Sequence, residues 1–232
     1  MKARIRVALC PVPEPGRVDT SLRYTDILFG FVIRELFLRL QNWSQLDSGV
    51  RWHLIVGTTL VLGSWIGFRR SLNRTTYEVK FFNLPLFRFL IDQLMLILYF
   101  RIAVLTNVGG SDLPTAGALT TNTIKLVMYV FVLYAVWDLL GIWMAEVKAP
   151  AGSSGKKPRY PALKDGKMTD DWQRADWAGF SITASGLAVL MVLWLTAGAP
   201  NPNCLSLATV VLLLAYRLAK ETRTSWRSLQ PA

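Results

Sequence analysis

Six charged side chains stand inside apolar stretches of this chain: Asp26, Arg34, Glu35, Asp92, Arg101 and Asp138. Charge held at bilayer depth is expensive, and such groups are kept for a use. Three uses fit these residue types. Carboxylates gather cations at a pore mouth. A single protonatable carboxylate carries a proton in a transporter. Opposite charges on neighbouring helices hold a bundle together.

Helical spacing sorts these groups. Asp26, Gly30 and Arg34 recur every four residues and share a face, with Glu35 about 100° from Arg34. Arg88 and Asp92 lie one turn apart and can pair within their helix. Met95 and Tyr99 continue the Asp92 stripe, whereas Arg101 lies on the opposite side. Asp138 shares a face with Tyr134. Ile27, Gly30, Ile33 and Phe37 accompany Asp26 at helical spacing. Bulky members of that set would form a dewetting constriction, or would simply pack against lipid or core.

The elements that must position these groups follow from hydropathy. The chain has 232 residues, of which 52% are hydrophobic. Apolar runs fall at about 24–40, 53–68, 86–106, 123–144, 178–198 and 204–219, most of them near the ~20 residues that cross a bilayer. The expected fold is an all-α polytopic membrane protein with six transmembrane helices. Residues 1–23 form a lead-in, 24–219 the helical domain with a loop at 149–176, and 220–232 a tail.

Lys and Arg alternate across the connections. The lead-in carries Lys2, Arg4, Arg6, Arg17 and Arg23, and the next connection only Arg51. Arg69, Arg70, Arg74, Lys80 and Arg88 mark the second, and no basic residue falls in the third. The fourth holds Lys148, Lys156, Lys157, Arg159, Lys164, Lys167 and Arg174, the fifth none, and the tail Arg217, Lys220, Arg223 and Arg227. The pattern places both termini in the cytoplasm. It also accounts for the net charge of +11 as contact with anionic lipid rather than nucleic acid.

With that orientation, Asp26, Asp92 and Asp138 fall in the cytoplasmic half and Arg34, Glu35 and Arg101 in the external half. Glu35 with Arg101 is the expected interhelical pair, and Arg88 with Asp92 the expected pair along one helix. Asp26 and Asp138 have no obvious cation of their own and are the candidates for an ion pathway. Thr59, Gly63 and Gly67 recur every four residues and would let another helix approach closely, or expose backbone to a pore.

The loops add less. Residues 150–169 are rich in Gly, Ser, Pro and Lys, and the 149–176 segment is a candidate docking site for a protein partner. Asp170 and Asp171 would bind a divalent cation beside a phosphorylated lipid, or cap a helix. Cys10 and Cys204 fall on opposite sides of the expected membrane and do not pair. His53 is the single histidine, which excludes a histidine cluster. No cofactor or metal is implied.

The stretch Arg23-Tyr24-Thr25-Asp26 resembles the F-S-D signature opening the first helix in the endosomal and bacterial potassium-channel family that lacks a pore loop. Trp65 followed by Arg69 and Arg70 is similar to that family's second helix. The resemblance covers mainly residues 23–100. It implies a pore lined by the first helix, with apolar constrictions at Ile27, Gly30 or Ile33. Tyr24 and Thr25 depart from the signature, and Arg34 and Glu35 interrupt the apolar lining.

The expectation is therefore an oligomeric, cation-conducting channel, a homo-oligomer in contact with membrane lipids and monovalent cations. The expected location is the cytoplasmic (inner) membrane of a bacterium. A small-solute or ion-coupled transporter and a noncatalytic anchoring subunit are the alternatives. Missing proline breaks speak against the transporter, and the absence of an arginine ladder speaks against steep voltage sensing.

Overall fold

A computed structural model describes residues 20–72, 84–105, 115–147, 163–164, 167–168, 177–196 and 201–229. Most of the lead-in, most of the 149–176 segment with Asp170 and Asp171, and Cys10 lie outside the described residues. Six α-helices carry the fold: α1 (Thr20–Leu40), α2 (Ser48–Leu72), α3 (Leu84–Val104), α4 (Ala116–Val147), α5 (Trp177–Leu195) and α6 (Pro202–Leu229). A 3-10 turn (Trp43–Gln45) joins α1 to α2, and a two-stranded antiparallel ladder pairs Leu163–Lys164 with Lys167–Met168.

Local chemistry sets the helix ends. Pro85 lies in the first turn of α3, where a missing N–H costs nothing. Asn201 caps α6 by accepting from the Cys204 N–H at 3.4 Å, with Pro202 as the first helical residue. Thr115 caps α4 through its hydroxyl, which accepts from the Ala118 N–H at 3.4 Å.

α4 begins well before the expected position near 123. The threonines that make its start look like a loop turn their hydroxyls onto the helix. Thr121 donates to Gly117 O at 2.9 Å, and the Thr123 hydroxyl lies 2.7 Å from Leu119 O. α6 likewise continues past the expected 219, and the basic residues assigned to a tail are helical.

α2 and α4 are the hubs of the bundle: α2 packs on α1, α3, α4 and α6, and α4 on α2, α3, α6 and, most extensively, α5. Phe131 anchors the α4–α5 contact and is fully buried. It sits against Gly186, where an added Cβ would stand 2.6 Å from the ring. The core continues through Leu54, Val61, Tyr99, Ile102 and Val127.

The outer surface is apolar. Ile27, Phe31, Phe37, Ile97, Val192, Leu195, Val211 and Leu218 are all more than half exposed. Among the described residues, three helical stretches are long and apolar enough to cross a membrane: Ala116–Trp143, Trp177–Leu195 and Pro202–Thr222. They mark the chain as a membrane protein by length and composition. α1 and α3 fall outside this set because charge crowds them, Asp26, Arg34, Glu35 and Arg39 in one and Arg88, Asp92 and Arg101 in the other.

Candidate functional site

Five of the six helices line a half-open cavity of about 260 Å³ at one end of the bundle. That end holds the start of α1, the ends of α2 and α6, the first half of α3 and the second half of α4. α1 gives Thr25 and Phe29, and α2 gives the face running from Thr59 through Gly63 to Gly67. Asp92, Met95 and Tyr99 come from α3, and Tyr134, Trp137 and Asp138 from α4. α6 brings Leu213, Tyr216, Arg217, Lys220 and Glu221.

The charged groups are organised in pairs. Asp138 accepts from Lys220 Nζ at 2.7 Å and from the Thr183 hydroxyl at 2.6 Å. One carboxylate therefore ties α4 to α5 and α6. Arg217 and Glu221 pair along α6 at 2.8 Å. Arg88 and Asp92 are both buried. The Arg88 guanidinium does not line the cavity. It sits over Trp137, its Cζ 3.4 Å from the ring centroid.

A hydroxyl chain closes the deep end. Ser64 donates to Leu60 O at 2.6 Å, which leaves its oxygen to accept from Tyr134. Tyr134 in turn accepts from Tyr99 at 2.8 Å. Each hydroxyl has one proton, so the chain runs Tyr99 to Tyr134 to Ser64 to backbone. Tyr134 also stacks on Tyr216, with ring centroids 5.9 Å apart.

The expected helix-packing stripe faces this cavity. Thr59, Gly63 and Gly67 look toward α6, and a Cβ at Gly67 would collide with the Arg217 guanidinium, 3.0 Å from Cζ. Glycine here makes room for a cation rather than for a helix backbone. At Gly63 an added Cβ would meet only Arg217 Cδ at 3.9 Å.

Several expected pairings change. Asp26 has a cation after all: Arg69 Nε lies at 3.0 Å, and the Trp65 indole donates at 3.3 Å. Asp138 has Lys220. Both partners are distant in sequence, 82 residues in the second case, and Lys220 lies within α6 rather than in the expected tail. Glu35 pairs with Arg39 at 2.7 Å rather than with Arg101. The neighbour one helical turn away is the shorter reach, and Arg101 is exposed on the outer side of α3. Arg34 is exposed as well.

The expected ion-pathway residues do not converge in one chain. Asp138 lines the cavity, and Asp26 lies beside it without lining it. Ile27 is 57% exposed on the outer face, Gly30 faces open space, and Ile33 packs half-buried on the core. The residues that sequence reasoning missed are those of α5 and α6, Thr183, Tyr216, Arg217 and Lys220. The i,i+4 pair Arg217–Glu221 and the nearby Tyr216 and Lys220 were the available signal.

The other end of the bundle is pinned by His53, which is buried. Its Nε2–H donates to Ile102 O at 2.7 Å, and its Nδ1 meets the Thr123 hydroxyl at 2.5 Å. α2 is thereby stitched to α3 and α4. No protein-family model, curated protein or solved structure matches this chain.

Proposed function

We propose that this chain is a transport protein of six membrane spans, with both termini cytoplasmic, that binds a small solute in the cavity between α1, α2, α3, α4 and α6. The observation that carries this reading is the cavity itself. It combines apolar and aromatic walls with a few convergent charged and hydroxyl groups, the usual makeup of a small-molecule site between helices. The alternation of Lys and Arg supports a cytoplasmic location for its charged end, as the inner membrane of a bacterium would present it on this reading.

Ordered polar pairs at that end supply a means of gating. Asp138 with Lys220 joins α4 to α6, and Asp26 with Arg69 joins α1 to α2. Exchanging such pairs for solute contacts would let the helices part without stranding a charge.

Uptake into proteoliposomes tests the proposal. The wild type is screened against radiolabelled amines, amino acids and organic acids beside Gly63→Trp, whose indole would fill the cavity. Saturable uptake that Gly63→Trp abolishes, with helicity and elution volume unchanged, supports the reading. Uptake indifferent to that filling overturns it.

A homo-oligomeric channel lined by α1 is a second reading, favoured by the uncovered outer face of α1. Ile27, Phe31 and Phe37 are each 57% exposed there. That reading expects single-channel cation currents that change with Asp26→Asn and survive Gly63→Trp.

A further inference from the structure

The cavity's charges are unequal in availability. Its lining holds three carboxylates, Asp92, Asp138 and Glu221, against two cations, Arg217 and Lys220. Lys220 holds Asp138 and Arg217 holds Glu221, each at direct contact distance. Among the described residues no cation reaches Asp92 in that way. Asp92 is nevertheless buried, at 5% exposure. Arg88 lies one helical turn before Asp92 on α3, and both side chains are buried. Arg88 itself is committed to the Trp137 ring and lies outside the lining.

A buried carboxylate facing an aromatic-walled space calls for a specific complement. Unpaired charge in a low-dielectric site is costly, and an incoming cation removes that cost. Aromatic faces attract cations whose charge is spread over alkyl groups. Phe29, Phe68 and Tyr99 line the same space. A volume of about 260 Å³ equals that of roughly nine water molecules, enough for a ligand on the order of ten non-hydrogen atoms.

We infer that the solute bound here is a small monovalent organic cation with an apolar body, and that Asp92 is its countercharge. The inference rests on the solute-binding reading and narrows it. An inorganic cation would leave the aromatic wall unused, and an organic anion would meet the net negative lining. Lys220 and Arg217 remain engaged with their own carboxylates and close the rim.

The test is calorimetric titration of the purified full-length protein in detergent with benzyltrimethylammonium, benzamide and benzenesulfonate. Their aromatic bodies are alike and their charges differ. The expected ranking puts the ammonium at least tenfold tighter than the other two. Asp92→Asn should reduce its affinity about tenfold or more, toward that of benzamide, while Glu35→Gln, remote from the cavity, should leave it unchanged.

Equal or tighter binding of benzenesulfonate or benzamide overturns the cation assignment and leaves solute binding in place. Binding of none of the three overturns the assignment too, and the uptake comparison with Gly63→Trp then decides the broader reading. Ammonium binding unaltered in Asp92→Asn removes Asp92 from the site. The ranking on the wild type holds whether or not Asp92→Asn folds.

Discussion

Asp138 and His53 show what single side chains do in this bundle. Asp138 accepts from Thr183 and Lys220 and so joins three helices. A carboxylate this withdrawn from water is tolerable only with its partners in place. A double-mutant cycle of Asp138→Asn and Lys220→Met, read by thermal unfolding in detergent, should return a coupling of about 1 kcal/mol. Additive losses would show the pair to be indifferent to stability. His53 is buried with both ring nitrogens engaged. His53→Ala removes the partner of Ile102 O and one of the two partners of the Thr123 hydroxyl, and should cost roughly 1–3 kcal/mol. His53→Gln should recover part of it in the same melting experiment. Neither arrangement could be read along the chain. Thr183 and Lys220 lie 45 and 82 residues from Asp138, and a lone histidine in an apolar run carries no sign of its acceptors.

At the scale of elements, small residues decide which helices meet. Gly186 admits the Phe131 ring between α5 and α4, and Gly67 admits the Arg217 guanidinium between α2 and α6. Gly186→Val should destabilise by about 1–3 kcal/mol, because a buried aromatic ring cannot step aside cheaply. Gly67→Ala should displace Arg217, whose flexible side chain can move, and so perturb solute binding more than melting temperature. The reverse order of effects would assign Gly67 to packing alone. Six helices were legible from apolar periodicity, and so was the shared face of Thr59, Gly63 and Gly67. The start of α4 was not, since Thr120, Thr121 and Thr123 resemble a polar loop until their hydroxyls are seen bonding along or across helices. Charge on α1 and α3 had the opposite effect, drawing attention to Arg34 and Arg101, which face outward.

For the molecule as a whole, apolar side chains cover much of the outside as well as filling the core, unlike a water-soluble bundle. Phe31, Ile97, Val192 and Leu218 cover the outside, while hydroxyls and ion pairs gather within. The ion pairs Asp138–Lys220, Arg217–Glu221 and Asp26–Arg69 all lie at the end of the bundle that holds the cavity. Which faces would be apolar could be anticipated from composition. That five helices would converge on one cavity could not, because convergence depends on contacts between distant segments. Solute binding as proposed requires that cavity to be reachable by water-borne solutes from the cytoplasmic side. Labelling of Thr59→Cys, in a background with Cys10→Ser and Cys204→Ser, measures this directly. A membrane-impermeant trimethylammonium-ethyl thiosulfonate should modify Thr59→Cys in inside-out vesicles and leave right-side-out vesicles unlabelled. Modification only by an apolar, membrane-soluble maleimide would place this face of α2 in a dry core and contradict the account.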